Sequence, residues 1–377
     1  MAEALQSDPM VKRLVRDAYV QSCGLAVLVA GMTQRQKALA VWYGGARQGN
    51  IGGPLVKVKR LQEYFPEVKY GYNLLYTLSN TPYLPAWALA ILKRRRIPIV
   101  QNQNGVFYPG WYAGDWAAQN RRMGLAYHAA DWVFYQSNFC RIAADRFLGE
   151  RTGPGEVLYN AIDTQHFSPV TVLESMSEDK ARGCFEFLLT GKIGRHLYYR
   201  LQSTLAGLKV ARDAGLNASL HVAGWVDAQA QRDAEYQAAS LGLTKHVRFS
   251  GPYTQEQAPE IYRMADAYVM TKHNDPCPNT VLEALACGLP VLYSNTGGVS
   301  ELVGESAGIA VACPPHDPWG SPVVPSAKDI GAGMLAIAER QSEFVATARQ
   351  RAVDLFDISH WINRHREVFE RLLLEQA

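Results

Sequence analysis

Hydrophobic and polar positions fall into two rhythms along this chain. Short apolar runs recur through the second half, at 185–190, 219–223, 247–250, 267–270, 290–294 and 308–312. Between them, at 201–214, 257–264, 279–287 and the turn 300–303, apolar positions return at three- and four-residue spacing. Runs bounded by Gly, Pro or polar residues and too short for a helix are read as strands buried on both faces, and the intervening stretches as helices. Strand and helix alternating in this way predict a mostly parallel sheet covered on both sides. Such sheets bind ligands at the carboxyl ends of their strands, so the loops after 190, 250, 270 and 294 are predicted to share one rim.

The first half is less regular. A strand is predicted at 39–43, then the glycine-rich GGARQGNIGGP and an amphipathic helix at 55–64. A helix at 86–96 ends in KRRR and runs into a strand at 97–100; a strand at 132–135 leads to Ser137, a helix cap, and a helix at 139–148. Segment 159–169 carries neither period, and the polar TVLESMSEDKARG after Pro169 puts a domain junction between about 163 and 180. In the tail, 361–374 reads as a helix with Trp361, Ile362, His365, Val368, Phe369 and Leu372 on one stripe. The expected organisation is therefore an α/β domain over 1–165, a second over 166–355 and a closing helical segment over 356–377.

Composition narrows the classes. A chain of 377 residues with 48% hydrophobic positions has the length and apolar content for two folded cores. Its 38 basic and 35 acidic residues leave a net charge of +3, which supplies no broad nucleic-acid footprint. The opening MAEALQSDPMVKRLVRDAY lacks the apolar core of a secretory signal, and the more apolar segments 74–92 and 307–314 are short or broken before a membrane-spanning length is reached. A cytoplasmic location is expected. The KRRR tract suits a solvated helix end, where cations complement the dipole; the alternative is a patch facing anionic lipid, which would place the protein peripherally at the inner face of the cell membrane. Six cysteines without a CxxC pair read as free thiols in a reducing compartment.

The richest stretch chemically is HNDPCPNTVLEALACGLPV. Pro276 and Pro278 fix a turn that presents Asn279 and Thr280 as cap candidates, so the helix that follows begins with outward amides, a phosphate site in physical terms. Asp275 precedes those amides and Glu283 lies one turn inside. A carboxylate against a diphosphate would repel it, so these acids are read as acceptors for hydroxyl groups on either side, sugar at one and ribose at the other. The bland alternatives are a capping role for Asp275 and a surface ion pair for Glu283. Gly297 and Gly298 then allow close backbone approach before Glu301. Across the predicted rim, GKIGRHLYYR places Lys192 directly after a strand, with Arg195 and Arg200 following. Lys192, and after it Arg195, is positioned to neutralise charge growing on a departing phosphate. The stretch 275–301 offers no cation of its own, so this charge has to come from Lys192 and a second base.

GxGxxG after an early strand, GxxxxGK[ST] and HExxH are all absent, which weakens nicotinamide, P-loop and zinc-hydrolase readings. The nine histidines are scattered and read as structural, and no DxD lies beside the phosphate helix. No resident cofactor and no metal are expected.

With these residues in view, the chain resembles the retaining glycosyltransferases of family 4, built on the GT-B fold of two facing Rossmann-like domains. The run DPCPNTVLEALACGLPVLYSNTGGVSELV is similar to that family's donor-binding segment, and Asp275 and Glu283 match its acid-x7-acid motif, with Asp where Glu is more usual. The resemblance implies that Asp275 contacts the transferred sugar and Glu283 the ribose, and that the amides of Asn279, Thr280 and Val281 approach sugar and phosphates. It implies a phosphate role for Gly191 and Lys192, with Arg195 and Arg200 both candidates for the second base. GNIGGP resembles the family's glycine loop, which points to Gly52 and Gly53. QNQNGVFYPGWYAGD would lie near the acceptor, with Gln or Asn around 101–104 where the family often has His. The final helix would cross back to the first domain. The function expected is metal-independent transfer of a hexose from a UDP- or GDP-sugar to a glycan or lipid-linked glycan, with retention of configuration. A non-hydrolysing sugar-nucleotide epimerase is one alternative; a non-catalytic glycan binder using exposed Trp111, Tyr112 and Trp116 is the other.

Overall fold

The computed structural model describes residues 10–30, 36–49, 53–79, 83–169 and 183–376. Gly52 and most of the predicted junction lie outside them. The chain divides into two compact units, one of residues 5–159 with 359–377, the other essentially 160–358.

In the first unit five parallel strands stand in chain order: β1 (Val41–Trp42), β2 (Leu74–Leu78), β3 (Ile99–Gln103), β4 (Trp132–Tyr135) and β5 (Gly155–Val157). Strand order never reverses among the described residues, so this sheet has no crevice of the kind that reversal creates. Ser137 caps the helix Asn138–Leu148 by accepting from the Cys140 amide at 3.1 Å. Strand β3 runs on past the predicted 97–100 through three amide side chains, Gln101, Asn102 and Gln103, all fully buried. Burial of such groups requires partners. Thr77 donates to Gln101, Lys57 Nζ to Asn102 Oδ1 at 2.7 Å, and Gln103 Nε2 to the Gly105 carbonyl at 2.7 Å.

The final helix, Ile358–Leu374, buries the stripe predicted for it, Trp361, Ile362, His365, Val368, Phe369 and Leu372. It completes the core of the first unit: Phe369 meets Phe65 and Tyr76 edge-on, and Phe134 lies 4.5 Å from the His365 ring. His365 Nδ1 faces the Trp361 carbonyl at 2.8 Å, so it carries the proton, and Nε2 accepts from Tyr76 Oη at 3.1 Å. Burial pushes this histidine down to about 3. The depressed value means that the folded state refuses a proton which the unfolded state binds below about 6.5. The contribution is therefore fully present above that pH and is lost as pH falls toward the folded value. Urea unfolding followed by tryptophan fluorescence is expected to show stability dropping by up to about 1.4 kcal/mol per pH unit below pH 6.5 for this histidine. His365→Gln should flatten the slope; an unchanged slope would contradict the assignment.

In the second unit six parallel strands, β6 (Phe185–Thr190), β7 (Ala218–Ala223), β8 (Val247–Gly251), β9 (Ala267–Met270), β10 (Val291–Ser294) and β11 (Gly308–Val311), stand in the order β11-β10-β9-β6-β7-β8. Leu201, Leu205 and Leu208 of the helix Tyr199–Asp213 pack with Phe187, Leu189, Leu220 and Val222 from the sheet into one core. The order reverses between β6 and β9, whose crossovers leave toward opposite sides. No helix of the described residues is long and apolar enough to cross a membrane.

Candidate functional site

The reversal between β6 and β9 opens a crevice outside their carboxyl ends, the place where parallel α/β sheets take ligands. From β6 the chain passes Thr190, Gly191 and Lys192 into a 3-10 turn, Arg195–Leu197, and the helix Tyr199–Asp213. From β9 it passes Thr271, Lys272, His273, Asn274 and Asp275 to the helix Asn279–Ala286.

Of the three cations expected after β6, only Arg200 enters the crevice. It is 3% exposed, and its Nη2 donates to the Thr190 carbonyl at 3.2 Å and lies 3.8 Å from Met270 Sδ, so the guanidinium bridges the ends of both switch strands. Its Nε has no partner, and no carboxylate of the described residues forms an ion pair with it. The first helical turn is fixed there because the Arg200 carbonyl accepts from Thr204 Oγ1 at 2.7 Å and Thr271 Oγ1 at 3.3 Å. Lys192, predicted first, is exposed at the rim with Nζ 5.2 Å above the Trp225 ring. Arg195 sits on the exposed turn.

The rim itself is smooth. Gly191 and Gly224 both have positive φ, which L side chains rarely adopt, and a Cβ on Gly224 would stand 2.3 Å from the Gly191 carbonyl oxygen.

Asp275 is held on both oxygens. One lies 2.7 Å from Lys272 Nζ and the other accepts from the Cys277 amide at 3.3 Å. Lys272 lies outside 275–301, which holds no cation of its own; the sequence shows it three positions ahead of Asp275, and only the loop conformation brings the two together. Gly298 N–H donates to the Asp275 carbonyl at 3.0 Å, and Gly297, at φ +70, packs so closely that a Cβ would fall 2.7 Å from that same oxygen. The close approach expected of the two glycines is thus made to the backbone of 274–275.

The helix Asn279–Ala286 is capped by Pro278 and has no side-chain cap, so Asn279 and Thr280 are its first helical residues and not its caps. Val281 N–H donates to the Pro278 carbonyl at 3.1 Å, leaving the amides of Asn279 and Thr280 at the head, beside the buried, unpartnered Asn279 Oδ1. Glu283 is 5% exposed, which removes the surface ion pair as its explanation. Its Oε2 accepts from Tyr262 Oη at 2.7 Å, and Tyr262 Oη lies 3.1 Å from Thr190 Oγ1, which in turn lies 3.1 Å from Tyr268 Oη. The second acid therefore joins a hydroxyl chain directly behind the last residue of β6. Burial, and after it the Glu283 charge, pushes the Tyr253 and Tyr262 phenols up. His273 is pushed down to about 4 by burial and then by His316, so it stands neutral beside the crevice. The signal for this tyrosine floor was present in the sequence only as scattered residues with no common spacing.

In the first unit, Gly53 opens the helix Gly53–Tyr64 with nothing within 4 Å of where its Cβ would be. The aromatic platform expected of Trp111, Tyr112 and Trp116 does not form: Tyr112 is buried against Phe107, and the half-buried Trp116 packs on Phe147.

Residues 201–319, the segment carrying Arg200's helix, Lys272, Asp275 and Glu283, match the family described as Glycosyl transferases group 1. Over this segment the chain is similar to the group 1 glycosyl transferases. D-inositol 3-phosphate glycosyltransferase of Salinispora tropica is 40% identical over 82 residues, 22% of this chain and 17% of that protein. Mannosylfructose-phosphate synthase of Agrobacterium fabrum is 42% identical over 60 residues, 16% of this chain and 13% of that protein. The chain thus spans less than a fifth of these relatives' lengths. Among solved structures, Anabaena Alr3699/HepE in complex with UDP superposes with a TM-score of 0.63 at 17% identity, covering 85% of this chain and 82% of that one. Sucrose-phosphate synthase from Thermosynechococcus elongatus gives 0.62 at 19% identity, covering 96% and 94%. Likeness at such identities is one of fold, and the fold is GT-B.

Proposed function

We propose that the protein is a retaining glycosyltransferase that moves a hexose from a UDP- or GDP-sugar to a glycan or lipid-linked glycan, without a metal. The observation that carries this reading is Arg200: a guanidinium 3% exposed at the strand switch, with no carboxylate among the described residues to pair it, calls for an anion. The uncapped amides of Asn279 and Thr280 offer a second set of donors to the same group. A diphosphate fits both. Structures of similar fold hold UDP and UDP-glucose, and named relatives transfer sugars, which supports a nucleotide-sugar donor.

As the sugar bond breaks, charge grows on the β-phosphate, and fixed cations lower the barrier without reorganising. Arg200 is the resident counter-charge; Lys192, released from the Trp225 face, supplies the mobile one. Asp275 accepts from sugar hydroxyls with Lys272 holding its orientation, and Glu283 accepts from the ribose while Tyr262 fixes its carboxylate. The two cations and the helix head do the work a divalent ion would otherwise do.

Calorimetric titration with UDP and GDP, followed by turnover of their sugars, tests the reading. Saturable nucleoside diphosphate binding is expected, lost in Glu283→Ala. Lys192→Ala should keep the affinity within about threefold and lower turnover roughly a hundredfold. A chain that binds neither UDP nor GDP would overturn the proposal.

A further inference from the structure

Asn274 stands between β9 and Asp275 at a φ of +52, one of two residues other than glycine with positive φ among the described residues. A side chain there carries strain, which Asn tolerates better than most residues, and the conformation persists only where its surroundings impose it. Three contacts impose it here. The Asn274 backbone N–H donates to Thr296 Oγ1 at 3.1 Å, its Nδ2 donates to the Pro318 carbonyl, and Gly297 packs so closely that a Cβ would stand 2.8 Å from the Asn274 Cα. Asn274 is buried, so both of its donors need these partners.

The partners follow different strands. Thr296 and Gly297 come after β10, whereas Pro318 belongs to 312–326, the irregular segment between β11 and the helix Ala327–Glu339. In the sheet β10 stands between β11 and β9, so Pro318 reaches Asn274 across the carboxyl end of β10. Asp317 fixes the turn from which it reaches: its Oδ1 accepts from the Trp319 amide at 3.0 Å and its carbonyl from the Gly320 amide at 3.0 Å. The same segment sets the His316 ring 5.4 Å from that of His273, the residue before Asn274. Lys272 and the Cys277 amide hold the Asp275 carboxylate relative to its own loop; Asn274 holds that loop relative to the sheet. The phosphate donors are fixed by other contacts, Arg200 on Thr190 and the helix head behind Pro278.

We infer that Asn274 is the positioning residue of the sugar subsite: by tying the ends of β9, β10 and β11 together in a left-handed turn, it sets where the Asp275 carboxylate meets the hydroxyls of the transferred hexose. The inference rests on the donor reading, because it acts through the role given there to Asp275. Asn274→Gly tests it, since glycine accepts the positive φ and removes only the hook to Pro318. Calorimetry with UDP and GDP should show affinity within about threefold of the native chain. Turnover of whichever of UDP-glucose, UDP-galactose and GDP-mannose the native chain uses should fall about tenfold or more. Thr296→Val should lower turnover in the same way, and Thr296→Ser, which keeps the hydroxyl, should restore it. In an Asp275→Asn background Asn274→Gly should cost less than about twofold further, because a residue that works through a neighbour is not additive with it. Native turnover in Asn274→Gly, the full loss repeated in the Asp275→Asn background, or a loss of UDP and GDP affinity to match the loss of turnover would overturn the inference and leave Asn274 a residue of the fold alone. A native chain that binds neither nucleotide would instead remove the donor reading, and this inference with it.

Discussion

Replacing Arg200 by methionine is expected to weaken nucleoside diphosphate binding roughly a hundredfold or more, while the fold stays as stable as before or gains. The two expectations have one cause. A guanidinium 3% exposed with no carboxylate partner among the described residues carries a desolvation cost in the ligand-free protein and recovers it only when an anion arrives. Methionine keeps an unbranched side chain of similar reach and removes the charge. The Thr190 carbonyl loses one donor, at about 1 kcal/mol, which the removed burial of charge offsets. A charge-assisted hydrogen bond to a desolvated phosphate contributes more than that, on the order of 2–5 kcal/mol when one partner is deleted. Arg195→Met, on the exposed turn, should change affinity by less than about threefold. Calorimetry with UDP and GDP beside thermal unfolding separates the cases. Lower stability with unchanged affinity would make Arg200 a structural residue and remove the main support for the donor reading.

The second large effect is expected at Gly297. Its φ of +70 lies in the left-handed region, and a Cβ would stand 2.7 Å from the Asp275 carbonyl oxygen and 2.8 Å from the Asn274 backbone. Gly297→Val therefore adds backbone strain of about 1–3 kcal/mol and a clash with atoms that cannot swing away. Relief has to come from the 274–275 loop, which also carries the Lys272–Asp275 pair. Displacing a positioning group by about 1 Å costs on the order of a hundredfold in rate. Turnover of a nucleotide sugar should fall by that factor, with a lowered unfolding temperature, and Gly297→Ala should lie between the valine variant and the native chain. Gly298, at φ −94, makes no such demand on its conformation. A valine variant with native melting and native turnover would show that the loop yields freely.

The sheet of the second unit was legible because it is buried on both faces: its strands are unbroken apolar runs, and Phe185–Thr190 and Ala267–Met270 fall where those runs do. Elements with weaker contrast were not. The helix Ala228–Ser240 buries only Ala230, Ala234 and Ala238, side chains too small to mark a period among glutamines and acids. The continuation of β3 through Gln101, Asn102 and Gln103 runs against the rule that polar runs are loops, and Thr77 and Lys57 from other segments support it by donating to Gln101 and Asn102.

At the site, local sequence determined what local backbone can determine: a proline turn into a helix whose head is open, two acids eight positions apart, and glycines where chains must touch. It could not say which of Lys192, Arg195 and Arg200 enters the crevice, because that depends on how the first helical turn sits against β9, fixed by Thr271 and Thr204 on the Arg200 carbonyl. It could not join Lys272 to Asp275, nor Glu283 to Tyr262, because those contacts are set by strand order and loop path.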